Sequence, residues 1–154
     1  MRTSLLLLGP VLVAGALAAA TSASIASPLH PGEHAARATV AAGNSKYGRI
    51  LFDGHGRALY AFTHDPAGRS LCAGACAKVW PPYVVAAAAR PAAGVKQSLL
   101  GTIRRADGSS QVTYQHRPLY YYVGDTKPGQ VLCQDVTEFG GAWLVMRPSG
   151  RLVR

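Results

Sequence analysis

Three cysteines are the residues of this chain whose chemistry is easiest to name, and they stand at positions 72, 76 and 133. If residues 71–79 form a helical turn, Cys72 and Cys76 lie on one face with their Cα atoms about 6 Å apart, which is within disulfide range. Closing so short a loop stabilises a fold by about 2 kcal/mol. This pairing, which we favour, leaves Cys133 as the odd thiol, which is then buried, reactive or paired between molecules. The two other single pairings, each of which includes Cys133, stay open.

A redox or metal-handling function is the alternative use of these cysteines, together with the histidines His30, His34, His55, His64 and His116. Thiol oxidoreductases use Cys-x-x-Cys, and the spacing here is one residue longer. Haem attachment needs a histidine directly after the second cysteine, where Ala77 stands. Every histidine precedes Cys133, which does not suit blue copper, and no paired spacing suits structural zinc. The sequence therefore predicts no cofactor and no metal, and a copper site at His55, His64 and His116 stays a hypothesis.

Hydrolytic chemistry has little support in the sequence. Four of the seven acidic residues stand in turn sequences: Asp53, Asp65, Asp107 and Asp125. There is no Gly-x-Ser-x-Gly nucleophile turn and no phosphate-binding glycine loop. No catalytic residue is assigned, and the sequence favours a protein without enzymatic activity.

One stretch of sequence occurs twice, as RALYAFTHD (57–65) and RPLYYYVGD (117–125). The paired aromatic and acidic positions are Tyr60/Tyr120, Phe62/Tyr122 and Asp65/Asp125. Aromatic residues two apart on a strand normally fill a core face or form cross-strand pairs. Aspartate at the start of Asp-Pro-Ala-Gly favours a type I turn. The duplication therefore indicates architecture, and the alternative is a binding cleft that these residues line.

Short strands must position these residues, because no long helical period appears. Residues 49–52 and 58–63 read as one hairpin around the turn 53–56. Residues 100–105, 111–114 and 118–123 read as successive antiparallel strands, and 142–146 with 151–153 as a last hairpin. We therefore expect an all-β fold with two duplicated halves, about 46–85 and 98–154, and one short helical turn around Cys72 and Cys76. Whether it is a barrel or a sandwich stays open, as does a helical turn or a loose connector at 84–94.

The N-terminus carries the features of a signal peptide over residues 1–26. Arg2 precedes an apolar stretch at 4–20, and small residues follow, with cleavage expected near Ala26 and an earlier alternative at residues 18–20. Retention of this segment as a membrane anchor is the competing interpretation. Residues 27–45 are rich in Ala, Pro, Gly, His and Thr without a period, which predicts a flexible tether. The remaining residues 46–154 are expected to form the single folded domain, and no later segment is apolar enough to span a membrane.

The charge is strongly basic, since removal of the signal peptide leaves 15 Lys and Arg residues against seven acidic ones. The basic residues are scattered singly apart from Arg104-Arg105, whereas nucleic-acid binders concentrate them on one element. Nucleic acid is therefore not an expected partner. A basic surface of this kind attracts anionic envelope polymers, and another envelope protein is the other candidate partner.

The two motifs, with GRSLCAGACAKVWPP (68–82), DGSSQVTYQHRPLYYY (107–122) and FGGAWLVMRPSG (139–150), resemble a family of bacterial secreted repeats. That family, also described as predicted lipoproteins, carries the pattern Tyr-x-(Phe/Trp/Tyr)-x-x-Asp. The resemblance covers about residues 46–154 and implies an exported protein with a duplicated fold and no established activity. It supplies no catalytic residues, and the lipid-attachment cysteine frequent in the family is missing here. We therefore expect an exported binding or structural module of the cell envelope, which reaches its partner through the exposed share of the duplicated tyrosines, through Trp80 or Trp143, and through basic residues such as Arg57 and Arg117.

Overall fold

A computed structural model describes residues 38–154, so the predicted signal peptide and most of the predicted tether lie outside the described residues. In chain order the strands are β1 (Thr39–Ser45), β2 (Gly48–Asp53), β3 (Tyr60–Phe62), β4 (Arg90–Pro91), β5 (Leu100–Arg104), β6 (Ser110–Tyr114), β7 (Arg117–Pro118), β8 (Val136–Glu138) and β9 (Gly141–Val145). A short helix α1 covers Ala75–Val79, and a 3₁₀ turn covers Gln97–Leu99. The strands of this region form three small sheets, with the orders β2-β1-β4, β3-β9-β8 and β5-β6-β7. The predicted all-β class is confirmed.

The fold begins earlier in the chain than the sequence suggested. Thr39–Ser45, which we expected to be the end of a flexible tether, forms β1 and pairs antiparallel with β2 from Val40 opposite Asp53 to Ser45 opposite Gly48. The composition of β1 is poor in the β-branched and aromatic residues that mark strands. Its strand conformation comes from pairing on both sides, because β4 adds parallel to its other edge. Composition alone therefore misplaced this boundary.

The predicted turn after β2 is present, although β2 and β3, the strands on its two sides, pair mainly with other strands. After β2 the chain turns at Asp53, whose N–H donates to the Arg57 carbonyl at 2.9 Å, and Phe52 bridges Ala58. β2 nevertheless pairs chiefly with β1, and β3 pairs with β9. In the second half, β5, β6 and β7 follow one another antiparallel, as expected. The β8–β9 hairpin was not foreseen, because β8 is only three residues long.

The two halves interleave through their duplicated strands. Tyr60 and Tyr120 exchange backbone hydrogen bonds, each N–H donating to the other carbonyl at 2.9 Å. Tyr60 on β3 also lies opposite Val145 of the second half, and Tyr120 bridges Pro82 of the first. Each repeat therefore supplies a strand that pairs with the end of the other repeat. Neither half can complete its own pairing, which explains why the duplicated sequence builds one domain.

The core is dominated by aromatic and branched side chains from both halves. The largest side chains without solvent exposure are Trp80, Trp143, Tyr60, Tyr114, Tyr120, Ile50, Leu51, Leu59, Leu119, Leu144 and Met146. Alternate residues of a strand point to opposite faces, so Tyr60 and Phe62 join one cluster with the two tryptophans, while Leu59 and Ala61 join a second. The duplicated strand is thus buried on both faces.

Candidate functional site

The duplicated aromatic and acidic residues form hydrogen bonds that cross between the repeats. The Tyr60 hydroxyl donates to Asp125 Oδ2 at 2.7 Å, and the Tyr120 hydroxyl donates to Asp65 Oδ2 at 2.5 Å. All four residues are buried, with Asp125 1% and Asp65 6% exposed. Each motif therefore binds the aspartate of the other motif and not its own. We call these two contacts the crossed Tyr–Asp bonds.

The second oxygen of each aspartate holds the loop that follows its own motif. Asp65 Oδ1 accepts the Leu71 N–H at 2.7 Å, and Asp125 Oδ1 accepts the Leu132 N–H at 3.0 Å. The residues after these leucines are Cys72 and Cys133, so the two cysteines occupy equivalent places in the repeats. Each carboxylate thus ties together a tyrosine of one repeat and a loop of the other. Both oxygens are used inside the fold, which is a structural role.

Burial and the crossed bonds hold the two tyrosines in their neutral form. Burial, and then the hydrogen bond to Asp125, raise the pKa of Tyr60 far above its ordinary value. Burial and the hydrogen bond to Asp65 act in the same direction on the pKa of Tyr120. Burial also raises the pKa of Asp65, against the opposing effect of the Tyr120 and Leu71 donors. These tyrosines are proton donors fixed on carboxylates and are not poised to ionise.

The second aromatic position of each motif packs on a tryptophan of the other half. Phe62 stacks on Trp143 with ring centroids 4.2 Å apart, and Tyr122 lies against Trp80 at 4.9 Å. The two indoles stack on each other at 4.1 Å with 2° between their planes. Both tryptophans are fully buried, so the expectation that Trp80 or Trp143 contacts a partner is wrong. Burial of these large aromatic rings stabilises the small core more than their exposure at the surface would.

A buried arginine makes the two halves unequal. Arg105 donates to Ser70 Oγ and to Gln111 Oε1, each at 2.7 Å, and to the Cys72 carbonyl at 2.8 Å. Ser70 Oγ also lies 2.7 Å from the Tyr120 hydroxyl. This network braces one of the two crossed bonds and fixes the chain that leads to the disulfide. It explains why Arg105 is the one basic residue buried in the region 38–154.

The cysteines follow the favoured pairing. Cys72 and Cys76 form a disulfide with their Cα atoms 5.2 Å apart. The helical turn expected over 71–79 is shorter, because α1 begins at Ala75 after Gly74 with a φ of 55°, so Cys72 lies before the helix and Cys76 within it. Cys133 is a free, partly buried thiol. It acts as a hydrogen-bond partner of Tyr122, and this contact is the main cause that raises the pKa of that tyrosine.

His30 and His34 lie outside the described residues, and the three described histidines do not converge on a metal site. His55 stands in the turn after β2 with its side chain 83% exposed. His64 lies tilted against Phe62 with ring centroids 5.7 Å apart, and His116 occupies the β6–β7 turn with a φ of 61°. Across residues 38–154 no group of three or more His, Cys, Asp or Glu side chains is placed to hold a metal ion.

A cleft beside β2 was not anticipated from the sequence. It has a volume of about 300 Å³, and its lining includes Thr39, Asp53, His55, Tyr83 and Tyr121. One wall of the cleft could have been predicted from the alternation of side chains along a strand, because Tyr121 must face away from Tyr120 and Tyr122. Tyr83 and Asp53 come from the other repeat, and nothing local in the sequence indicates that they meet Tyr121.

No helix of residues 38–154 has the length and apolar character needed to cross a membrane. No curated protein and no solved structure shows significant similarity to the chain. A family model described as a secreted repeat of unknown function matches it twice, over residues 41–83 and 101–147. The two matched segments correspond to the two interleaved halves. Together they contain all four residues of the crossed Tyr–Asp bonds. The chain belongs to this family of secreted repeats of unknown function.

Proposed function

We propose that this protein is an exported, non-enzymatic binding module of the cell envelope, which holds an anionic polymer on its basic surface. The observation that carries the proposal is the unequal burial of charge. Of the six acidic residues in 38–154, Asp53, Asp65 and Asp125 are buried, whereas Arg105 is the only one of fourteen basic residues to be buried. Thirteen basic residues and only three acidic ones therefore face solvent, and the net positive charge of this surface exceeds that of the whole region by two.

The internal use of the repeated polar residues supports the same proposal. The tyrosines and aspartates of both motifs, which are the polar groups best suited to acid–base work, have their hydrogen bonds within the core. The domain is also tied by a disulfide, which is typical of proteins that work in an oxidising compartment. In this proposal the signal peptide is cleaved near Ala26 and the mature chain begins at Ser27. A rigid domain with a positive field would concentrate a polyanion at its surface.

Binding to a defined polyanion tests the proposal. Fluorescently labelled poly(glycerol phosphate) is titrated with the secreted protein at about 50 mM and about 300 mM NaCl, conditions between which the electrostatic screening length changes about twofold. We expect binding at the lower salt that weakens at least about 10-fold at the higher salt, because counterions are released on association. Neutral dextran is the control polymer and should not bind. Absence of binding at low salt, or binding that ignores salt, would contradict the proposal.

Two partly exposed arginines at the same position of the repeats provide matched variants. Arg57→Gln combined with Arg117→Gln lowers the positive charge by two, and we expect it to weaken polymer binding. Thr102→Gln combined with Thr137→Gln introduces the same side chains at exposed positions without a change in charge, and affinity should stay the same. Equal affinity for the two double variants would mean that these arginines take no part. The redox alternative predicts instead that reduction of the disulfide or blocking of Cys133 abolishes the protein's activity, with no dependence on surface charge.

A further inference from the structure

Asp53 differs from the two other buried aspartates in the way its carboxylate is used. Its Oδ1 is fully occupied, because it accepts the His55 N–H at 2.8 Å and the Arg57 N–H at 2.9 Å. Its Oδ2 accepts the Tyr121 hydroxyl at 3.1 Å, which is long beside the 2.7 and 2.5 Å of the crossed Tyr–Asp bonds. Hydrogen bonds from a hydroxyl to a carboxylate are usually about 2.5–2.7 Å. Asp53 Oδ2 therefore keeps capacity for a further donor.

Asp53 is as little exposed as Asp65, each at 6%, but it borders a cleft and Asp65 and Asp125 do not. Asp53 lines the cleft of about 300 Å³, between the rings of Tyr83 and Tyr121 and the imidazole of His55 at its rim. The two tyrosine rings lie 5.2 Å apart and are inclined by 53°. Small-molecule sites have volumes from about 300 Å³ upward and combine aromatic walls with a few polar groups. The cleft has the size of a site for one small ring.

The charges around the cleft favour a neutral ligand. The Arg57 guanidinium lies over the Tyr121 ring, 4.1 Å from its centroid, so positive charge already stands against one wall of the cleft. His55 Nδ1 lies 3.8 Å from Asp53 Oδ2 and adds positive charge when protonated. These positive groups and the basic surface would repel a cationic ligand. The buried Asp53 carboxylate would repel an anionic one. A neutral ring with hydroxyl groups and an apolar face suits both kinds of wall, because the hydroxyls can donate to the carboxylate and the apolar face can pack on a tyrosine ring.

We infer that the cleft beside β2 binds a single neutral sugar unit, with ring hydroxyls donating to Asp53 Oδ2 and the sugar face packed on Tyr83 or Tyr121. The inference rests on the proposed function, since a sugar unit of an envelope glycopolymer would be the natural occupant. The basic surface would then attract the charges of the polymer while the cleft recognises one of its rings.

Titration of the full secreted protein with neutral methyl glycosides tests the inference. The probes are methyl glucoside and methyl N-acetylglucosaminide, and the readout is the chemical shift of the backbone amides of His55, Arg57 and Tyr121 in ¹⁵N spectra. We expect saturable shifts confined to the cleft, with the same affinity at low and high salt. Glucosamine, which carries an ammonium group, should bind more weakly than the neutral glycosides.

Matched aspartate variants separate the site from general effects on the fold. Asp53→Asn keeps an oxygen for the two backbone donors but loses the charged acceptor, and we expect sugar affinity to fall at least about 10-fold. Asp107→Asn is the control, because Asp107 accepts the Ser109 N–H in a similar turn but is exposed, and affinity should not change. If Asp53→Asn fails to fold, His55→Ala serves instead, since this exposed side chain has little part in folding and its loss should weaken binding about threefold.

Each outcome of the titration decides the inference. Absence of shifts in the cleft, or equal binding by Asp53→Asn and Asp107→Asn, overturns it. Tighter binding of glucosamine than of the neutral glycosides would show that the cleft takes a cation, which also overturns it. Contacts from residues before Ala38 to Tyr83 and Tyr121, seen as nuclear Overhauser effects, would mean that the chain itself fills the cleft. Polymer binding without sugar binding contradicts this inference alone, and sugar binding without polymer binding contradicts the proposed function alone.

Discussion

Removal of one hydroxyl from the crossed Tyr–Asp bonds should destabilise the domain by a predictable amount. In Tyr60→Phe the ring stays in the core, and only the donor of the 2.7 Å bond to Asp125 Oδ2 is lost. Because Asp125 is 1% exposed, water cannot replace that donor. Loss of a hydrogen bond to a charged buried acceptor costs about 1.5–3 kcal/mol. For a domain of this size we expect the Tm to fall by about 6–12 °C.

Tyr114→Phe is the matched control for this measurement. Tyr114 is also fully buried, but both partners of its hydroxyl are neutral, since it donates to the Pro148 carbonyl at 2.8 Å and accepts the long 3.1 Å bond from the Lys96 N–H. Loss of a bond between neutral groups costs about 1 kcal/mol. The free energy of unfolding is measured for both variants by urea titration with the disulfide intact, using the fluorescence of the buried tryptophans. The reasoning is refuted if Tyr60→Phe costs no more than Tyr114→Phe, since the Asp125 carboxylate would then have little need of its donor.

Two further predictions concern the disulfide and the buried acid. Reduction of Cys72–Cys76 should lower the free energy of unfolding by about 2 kcal/mol, the value for so short a loop; a loss near zero in urea titrations with and without reductant would contradict it. The carboxyl of Asp65 should titrate above the ordinary aspartate pKa because of burial, and that of Asp107 below it because of its bonds to Ser109, as ¹³C spectra would report. Since the pKa of Asp65 is higher in the folded than in the unfolded state, its contribution to stability grows as the pH falls through the folded pKa and is lost as the pH rises through it. The variant Asp65→Asn should lack this part of the pH dependence of the free energy of unfolding. A variant with the same pH dependence as the original protein would contradict this role of Asp65.

Local patterns in the sequence predicted the parts of the fold that depend on neighbouring residues. The turn chemistry at Asp53 and at 115–117, the helical turn that places Cys72 beside Cys76, and the two-residue alternation around Tyr60 all rest on contacts within a few residues. The structure confirms the turns, the alternation, a short helical turn and the disulfide, although the helix begins at Ala75 and leaves Cys72 outside it. The internal duplication was likewise visible, because the repeated motif keeps one spacing.

Long-range partners could not be predicted in the same way. Nothing in RALYAFTHD shows that Tyr60 donates to Asp125, sixty-five residues away, and not to Asp65, five residues away. The strand status of Thr39–Ser45 depends on β2 and β4 at its two edges and not on its own composition. The cleft is missed for the same reason, since Asp53, Tyr83 and Tyr121 come from distant parts of the chain. A repeat in one chain predicts two copies of a unit but not whether they exchange their partners.

The crossing of the repeats is the central structural claim, and double-mutant cycles test it most directly. One cycle combines Tyr60→Phe with Asp125→Asn, the crossed pair, and the other combines Tyr60→Phe with Asp65→Asn, the pair within one motif. Residues in contact show coupling energies of about 0.5–3 kcal/mol, whereas residues without contact are additive within about 0.5 kcal/mol. We predict coupling above about 1 kcal/mol for Tyr60 with Asp125 and additivity for Tyr60 with Asp65. Coupling within the motif together with additivity across the repeats would contradict the interleaved fold described here.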